Sequence, residues 1–245
     1  MDDEYIDIEL RAPSTVAERC IILAAIVRRL WIESSATSSS SDNWFAEVFD
    51  LREWLRTESL WNALTALEID VLQRHVGDLS EDDVAELARH VEGLATLGWA
   101  LGLAELAPLG NLGDVSPVVH TVPAPWDNSA AWISGTRLRH EEDIARERDR
   151  AEMLAWRIKV EGPSRISRGA ERISYLAAIQ KVAREVRETG LSSGAGNEIT
   201  IDDRPLTSFD DRDLERLEVV ADERLRALNW LCGFGATWAD APLDV

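Results

Sequence analysis

Ser14-Thr15-Val16-Ala17-Glu18-Arg19-Cys20-Ile21-Ile22-Leu23-Ala24-Ala25-Ile26-Val27-Arg28-Arg29-Leu30-Trp31 is the stretch that decides the fold class. Ser14 or Thr15 is a natural helix N-cap, because a hydroxyl can accept a hydrogen bond from the first free backbone N–H groups. Val16, Cys20, Ile21, Leu23, Ala24, Val27, Leu30 and Trp31 then spread apolar side chains over more than one helical face. A helix patterned this way is central and buried on two sides. Ahead of it, residues 1–13 carry five acids and a proline and read as an acidic N-terminal tail. Behind it, Glu33-Ser34-Ser35-Ala36-Thr37-Ser38-Ser39-Ser40-Ser41-Asp42 reads as a low-complexity flexible loop.

Further helices follow. Asn43 to Thr57 places Trp44, Phe45, Val48, Leu51, Trp54 and Leu55 on one side. Thr65-Ala66-Leu67-Glu68 is a capping box opening a helix that ends near Gly77. Ser80-Glu81-Asp82-Asp83 caps the next, with acids at the positive end of its dipole. Its stripe of Val84, Leu87, Ala88, Val91, Leu94, Ala95, Gly98 and Leu101 is helical, and Gly93 and Gly98 within it predict close packing against a neighbour. Residues 102–136 hold four prolines and no helical period, so they read as one long connection. Leu138 to Glu161 is a charged helix laced with i,i+4 pairs such as Glu142–Arg146, stopped by Gly162-Pro163. Ala170 to Thr189 carries the stripe Ile173, Leu176, Ile179, Ala183, Val186 and ends at Gly190. A short hairpin is expected near residues 198–207. The last helix, about Asp210 to Cys232, has Leu214, Leu217, Ala221, Leu225, Leu228 and Leu231 on its stripe. The expectation is an all-α or nearly all-α domain over residues 14–245, one compact multi-helix unit with one Pro-rich connection.

The chain has 245 residues and a formal charge of -19, from 26 basic and 45 acidic side chains. Such a field repels nucleic-acid phosphates and anionic lipid and favours either solubility or a basic partner. Lys159 and Lys181 are the only lysines, a composition of high-GC bacterial coding. Cys20 and Cys232 stand alone on apolar stripes and are expected to be reduced and buried. The N-terminus Met1-Asp2-Asp3-Glu4 is acidic where a signal peptide is basic. The longest uncharged apolar stretch, Gly93 to Ala104, is too short for a bilayer, which takes about 20 residues. A cytoplasmic location is expected, with neither membrane nor nucleic acid as partner.

No catalytic or cofactor motif is present. His75, His90, His120 and His140 never fall at i,i+3 or i,i+4, and His140-Glu141-Glu142-Asp143 fans around a helix start, so no metal is expected. No Gly-x-Ser-x-Gly elbow and no histidine near either cysteine supports nucleophilic catalysis. Gly194-Ala195-Gly196-Asn197 lacks the lysine of a phosphate loop. The acid pairs Asp202-Asp203 and Asp210-Asp211 are what a chain this acidic gives by coincidence. The remaining candidate is a polar set beside tryptophans on two helices: Glu152, Trp156 and Arg157 on one, Arg224, Asn229 and Trp230 on the other. If those helices pack together, the charges meet partly buried and must be paired. They then form a structural network or line a binding site.

Four segments recur in a known order: Arg19-Cys20-Ile21-Ile22-Leu23, Leu97-Gly98-Trp99-Ala100-Leu101-Gly102-Leu103, Ala151-Glu152-Met153-Leu154-Ala155-Trp156-Arg157 and Glu223-Arg224-Leu225-Arg226-Ala227-Leu228-Asn229-Trp230-Leu231. Together they resemble DUF4272, a bacterial family of unknown function, from about Arg11 to the C-terminus. The ending Thr237-Trp238-Ala239-Asp240-Ala241-Pro242-Leu243-Asp244-Val245 resembles a degraded form of the family's Trp-Asp-rich ending. The resemblance implies one compact domain and brings no reaction, cofactor or catalytic residue. The function expected is therefore a non-enzymatic cytoplasmic interaction protein, in its sharpest form immunity- or antitoxin-like, that binds a basic protein through acidic helix faces opening at Ser80 and Asp210. The alternatives are a structural subunit of a larger assembly and a small-molecule enzyme with its site at Glu152, Arg157 and Arg224.

Overall fold

The computed structural model describes residues 8–36, 43–109, 115–188, 200–201 and 204–244. Among these, helix dominates, and the only sheet is an antiparallel pair of two-residue strands, β1 (Thr200–Ile201) and β2 (Arg204–Pro205), with Thr200 opposite Pro205 and Ile201 opposite Arg204. This is the mostly α fold that the apolar periodicities predict, with the hairpin where it is expected.

Helix α1 (Pro13–Ala36) is the axis of the molecule. Every residue from Ile21 to Val27 is fully buried. The helix begins at Pro13, one residue before the expected cap, because proline's fixed φ suits a first turn whose N–H groups have no partner anyway. At its other end it runs through Glu33-Ser34-Ser35-Ala36, where a loop is expected. Glu33 is the reason: it is buried, it receives Arg29 at 2.6 Å and it accepts the Gly77 N–H at 2.8 Å. The remaining serines of that run lie outside the described residues. Residues 8–12 are also more than a tail. Ile8 and Leu10 pack on the core, and Arg11 donates to the carbonyls of Trp230 and Gly235, both at 2.6 Å.

Around α1 lie α2 (Trp44–Thr57), α3 (Ala66–Gln73), α4 (Glu81–Ala88) and α5 (His90–Ala100). The expected capping box forms at Thr65 with Glu68, and the expected cap at Ser80 is itself a box, closed by Asp83. On α2 the buried residues are Val48, Leu51, Trp54 and Leu55, while Phe45, expected on that face, is 60% exposed. The single stripe from Val84 to Leu101 resolves into two helices separated at Arg89. The Pro-rich connection holds two short helices, α6 (Ser116–Thr121) and α7 (Ser129–Gly135), where none is expected. Pro117 sits in the first turn of α6, where proline is tolerated, and the Asn128 side chain caps α7.

The second half consists of α8 (Glu141–Ile166), α9 (Gly169–Glu188) and α10 (Asp211–Leu231). Helix α8 continues through Pro163 instead of stopping there. Gly162 has no Cβ to clash with the proline ring, and Glu161 clamps the turn by accepting from Arg157 at 2.7 Å and Arg165 at 2.8 Å. The whole predicted stripe of α10 is buried, against α8 on one side and α5 on the other. Helix α9 contacts α8, and only Ile179 and Ala183 of its stripe are buried; Ile173 is 69% and Leu176 45% exposed. Gly190 and the side chain of Val186 lie outside the described residues.

Gly93 and Gly98 mark close packing, as expected. A Cβ on Gly93 would meet Trp238 at 3.2 Å, and one on Gly98 would meet Val118 at 2.7 Å. The Gly98→Ala variant is therefore expected to lose about 1–3 kcal/mol in urea unfolding. Val118→Ala, which vacates the space, should restore part of that loss in the double variant. If Gly98→Ala alone is neutral, α5 and α6 do not approach as closely as described.

Candidate functional site

Among the described residues nine arginines and glutamates are less than a tenth exposed: Arg19, Arg29, Arg157, Arg224, Glu33, Glu68, Glu92, Glu161 and Glu223. A buried charge persists only when paired and hydrogen-bonded, so each partner choice fixes helix placement. Arg19 on α1 holds the Glu68 carboxylate of α3 with both arms, one at 3.0 Å, and stacks over the Trp238 ring at 4.5 Å. The Nε2 of His90 on α5 lies 3.2 Å from the same carboxylate. Burial pushes the Glu68 carboxyl up, but the Arg19 guanidinium and His90 outweigh it and hold it well below the usual carboxylate range.

A second pair joins α10 to α5. Arg224 reaches Glu92 at 2.6 Å and donates to the Ala107 carbonyl at 2.9 Å. Here burial wins: the Glu92 carboxyl is raised in spite of Arg224. Glu147 on α8 is raised for the same reason, against the pull of Arg150 and Arg224. Glu92 forms part of the lining of a groove of about 820 Å³ between α4 and α10. Ala85, Ala88, Leu109, Leu217 and Val220 give it an apolar floor, and Phe209, with Arg204 stacked on it at 4.1 Å, closes one end. Its own charges balance, with Arg89, Arg204 and Arg216 against Glu92, Asp213 and Glu215. On the flanking helices acid prevails. Glu81, Asp82, Asp83 and Glu86 stand on α4 without a base, and Glu215 and Glu218 are exposed on α10.

The four polar candidate residues are drawn into three separate networks, and the two tryptophans stand outside them. Asn229 and Glu152 do meet, through Arg148, which donates to Asn229 at 3.0 Å and to Glu152 at 2.8 and 2.9 Å. Asn229 also donates to the Pro242 carbonyl at 2.8 Å. Arg157 turns to Glu161, and Arg224 to Glu92. Trp230 is buried edge-on against Trp238, 5.4 Å between centroids, and Trp156 is half-buried on α8. Thus α8 and α10 do pack together, which meets the condition on which the candidate set depends, but their polar groups are divided among partners on α5, on α8 itself and in the C-terminal turn. Sequence reading misses Arg148, Glu92 and Glu68. Arg148 hides among the near-balanced charges of α8, and Glu68 is visible only as a capping-box residue. No group of three or more His, Cys, Asp or Glu side chains suited to a metal ion occurs among the described residues.

A family model described as "Domain of unknown function (DUF4272)" matches residues 3–168. The chain belongs to the DUF4272 family. Three of the four segments that carry the resemblance lie within the matched residues, and the fourth, Glu223 to Leu231, lies beyond them. No curated protein and no solved structure matches the chain. Among the described residues of this DUF4272 chain no helix is long and apolar enough to cross a membrane.

Both thiols are free and buried, as expected, and burial pushes each up to about 12, against the pull of Arg28 on Cys20 and of Arg148 on Cys232. Neither is a nucleophile near neutral pH. An aromatic disulfide reagent should therefore label the native protein orders of magnitude more slowly than the urea-unfolded chain. Fast labelling of the native form would contradict the burial.

Glu68 also gives stability a direction with pH. Its folded value lies below the unfolded one, so its stabilisation is complete above about pH 4.3 and is lost as pH falls toward the folded value. Glu92 and Glu147, raised, act oppositely and cost stability as pH rises above that point. Glu68→Gln is expected to cost about 3–5 kcal/mol at pH 7, and its gap from the parent in urea unfolding should narrow steadily below about pH 4.3. A gap that stays constant down to the acid transition would show that Glu68 is not held ionised by Arg19.

Proposed function

We propose that this DUF4272 protein is a non-enzymatic interaction protein of the bacterial cytoplasm that receives a basic protein partner, in its sharpest form as the immunity or antitoxin component of a pair. The observation that carries this reading is the α4–α10 groove: an apolar floor edged by two acidic helices that are far apart in sequence. The buried charges are largely spent on each other, so the excess of the -19 sits on the outside. A partner segment with an apolar side chain flanked by lysines or arginines would seat the first on Leu217 and Val220 and the second along the rims. Complementary fields of this kind speed encounter and are screened over about 8–10 Å at physiological salt.

Not every rim acid is available. Asp83 accepts from Ser80 and from Arg74 at 2.7 Å, so it holds the α4 cap, and Asp211 pairs with Arg165 at 3.2 Å. The informative variant is thus Glu81→Lys, Asp82→Lys, Glu215→Lys and Glu218→Lys together. Partners recovered from native lysate at low salt should be basic, with an on-rate that falls at least tenfold from low to high salt. The fourfold variant should lose them while its circular dichroism is unchanged. A partner retained by that variant, or one whose on-rate ignores salt, favours a structural subunit of a larger assembly and sinks the present reading. For the small-molecule enzyme, the groove offers Glu92 backed by Arg224, without Glu152 or Arg157.

A further inference from the structure

A second cavity, about 510 Å³, opens where α1 meets α2 and the turn after α6. Its walls are aromatic: Trp31 from α1, Trp44 from α2 and Trp126 from the turn, with Ile32, Leu51 and Pro125 behind them. Trp31 is 40% and Trp126 59% exposed, a costly display of indole surface for a protein with a well-filled core. Two carboxylates, Glu47 and Asp50, stand one turn apart on α2 in the same lining, and neither is in an ion pair among the described residues.

Trp126 is held there against its own backbone preference. Its φ is +74°, in the left-handed region that a bulky side chain rarely enters. The turn that imposes this is fixed on several sides. Arg28 donates to the carbonyls of Val119, Val122 and Pro123 at 2.6, 3.0 and 2.8 Å. Trp54 Nε1 donates to the Asp127 carbonyl at 3.1 Å, and Asp127 accepts the Ala124 N–H at 2.9 Å. Strain kept in place by this many restraints, and ending in an exposed indole at a cavity mouth, is the signature of a positioned recognition group.

The lining specifies the charge of the ligand. Indole faces are negative and attract cations, while the indole N–H can only donate. The cavity's own cation, Arg28, is committed to three carbonyls at the end of α6 and lies near Asp127. Glu47, which accepts from the Asn43 amide at 3.5 Å, and Asp50 outnumber Arg28 in the lining, so its charge is net negative among the described residues. A primary ammonium needs three acceptors close at hand, whereas an alkylated ammonium needs only faces and nearby charge. The volume suits a whole small molecule.

We propose that the Trp31/Trp44/Trp126 cavity is a binding site for a small organic cation bearing a quaternary ammonium group, with Glu47 and Asp50 supplying the countercharge. The site stands apart from the partner reading, because it lies away from the α4–α10 groove and is assayed on the purified protein alone. The probe is choline, titrated by calorimetry and by the indole N–H resonances, with 3,3-dimethylbutan-1-ol as the uncharged molecule of the same shape. Choline should bind saturably and shift the indole signals of Trp31, Trp44 and Trp126, and the neutral probe should bind at least about tenfold more weakly. Trp126→Ala and the Glu47→Gln/Asp50→Asn pair should each weaken choline about tenfold or more. Phe45→Ala, which removes an exposed ring outside the lining, should leave it unchanged. Equal binding of the two probes would reduce the site to an apolar crevice, and no saturation by either would overturn it, as would loss of affinity in Phe45→Ala equal to that in Trp126→Ala.

Discussion

Helix α1 buries two arginines at full depth, and the rest of the structure is arranged so that it can. Arg29 is wholly buried and Arg19 nearly so on a helix surrounded by other elements. Neither side chain can reach water, and an unpaired guanidinium in such a place costs more than a fold of this size can spare. Each therefore dictates a neighbour. Arg19 requires Glu68, which places α3 and, through His90, the start of α5. Arg29 requires Glu33 and the His75 carbonyl, which place the last turns of α1 and the loop after α3. Apolar burial supplies most of the stabilisation here, as in any core, but it is indifferent to small rotations of α1. The ion pairs are not, and they set its register.

The same logic repeats in the second half with different outcomes. Glu161 between Arg157 and Arg165 keeps α8 helical across a proline, and Arg224 with Glu92 ties α10 to α5. The C-terminal turn completes the set. Its Trp238 lies under Arg19, against Trp230 and over Gly93, so a residue near the end of the chain covers the central ion pair. Because so many internal charges are mutually satisfied, the surface is left with a strong surplus of acid. Two features of that surface are concave: the groove between α4 and α10, on which the partner proposal rests, and the tryptophan cavity beside α2, on which the cation proposal rests.

Period and caps made the helices legible. The stripes of α1 and α10 and the boxes at Thr65 and Ser80 are local signals, and local chemistry decides them. What escaped is what depends on distant partners. Glu33 looks like the start of a serine loop until Arg29 and Gly77 are seen around it. Pro163 looks like a stop until Glu161 is seen clamping the turn. In the candidate set the two helices do pack together, but the packing of helices does not say which charge meets which. Arg148 intervened between Glu152 and Asn229, and Arg224 turned to the opposite neighbour. The tryptophan cavity was beyond reach, since Trp31, Trp44 and Trp126 lie in three elements and only the fold brings them together.

The central claim is that the pairing of Arg19 with Glu68, beyond simple burial, holds α1 in place. A double-mutant cycle measures it directly: Arg19→Met, Glu68→Leu and the two combined, each unfolded in urea at pH 7. Each single change leaves a buried charge without its partner and should cost about 3–5 kcal/mol. The double variant removes both charges and should cost far less than the sum, with a coupling of about 2 kcal/mol or more. Costs that simply add would mean that the two residues do not act on each other, and that apolar packing alone positions the helix.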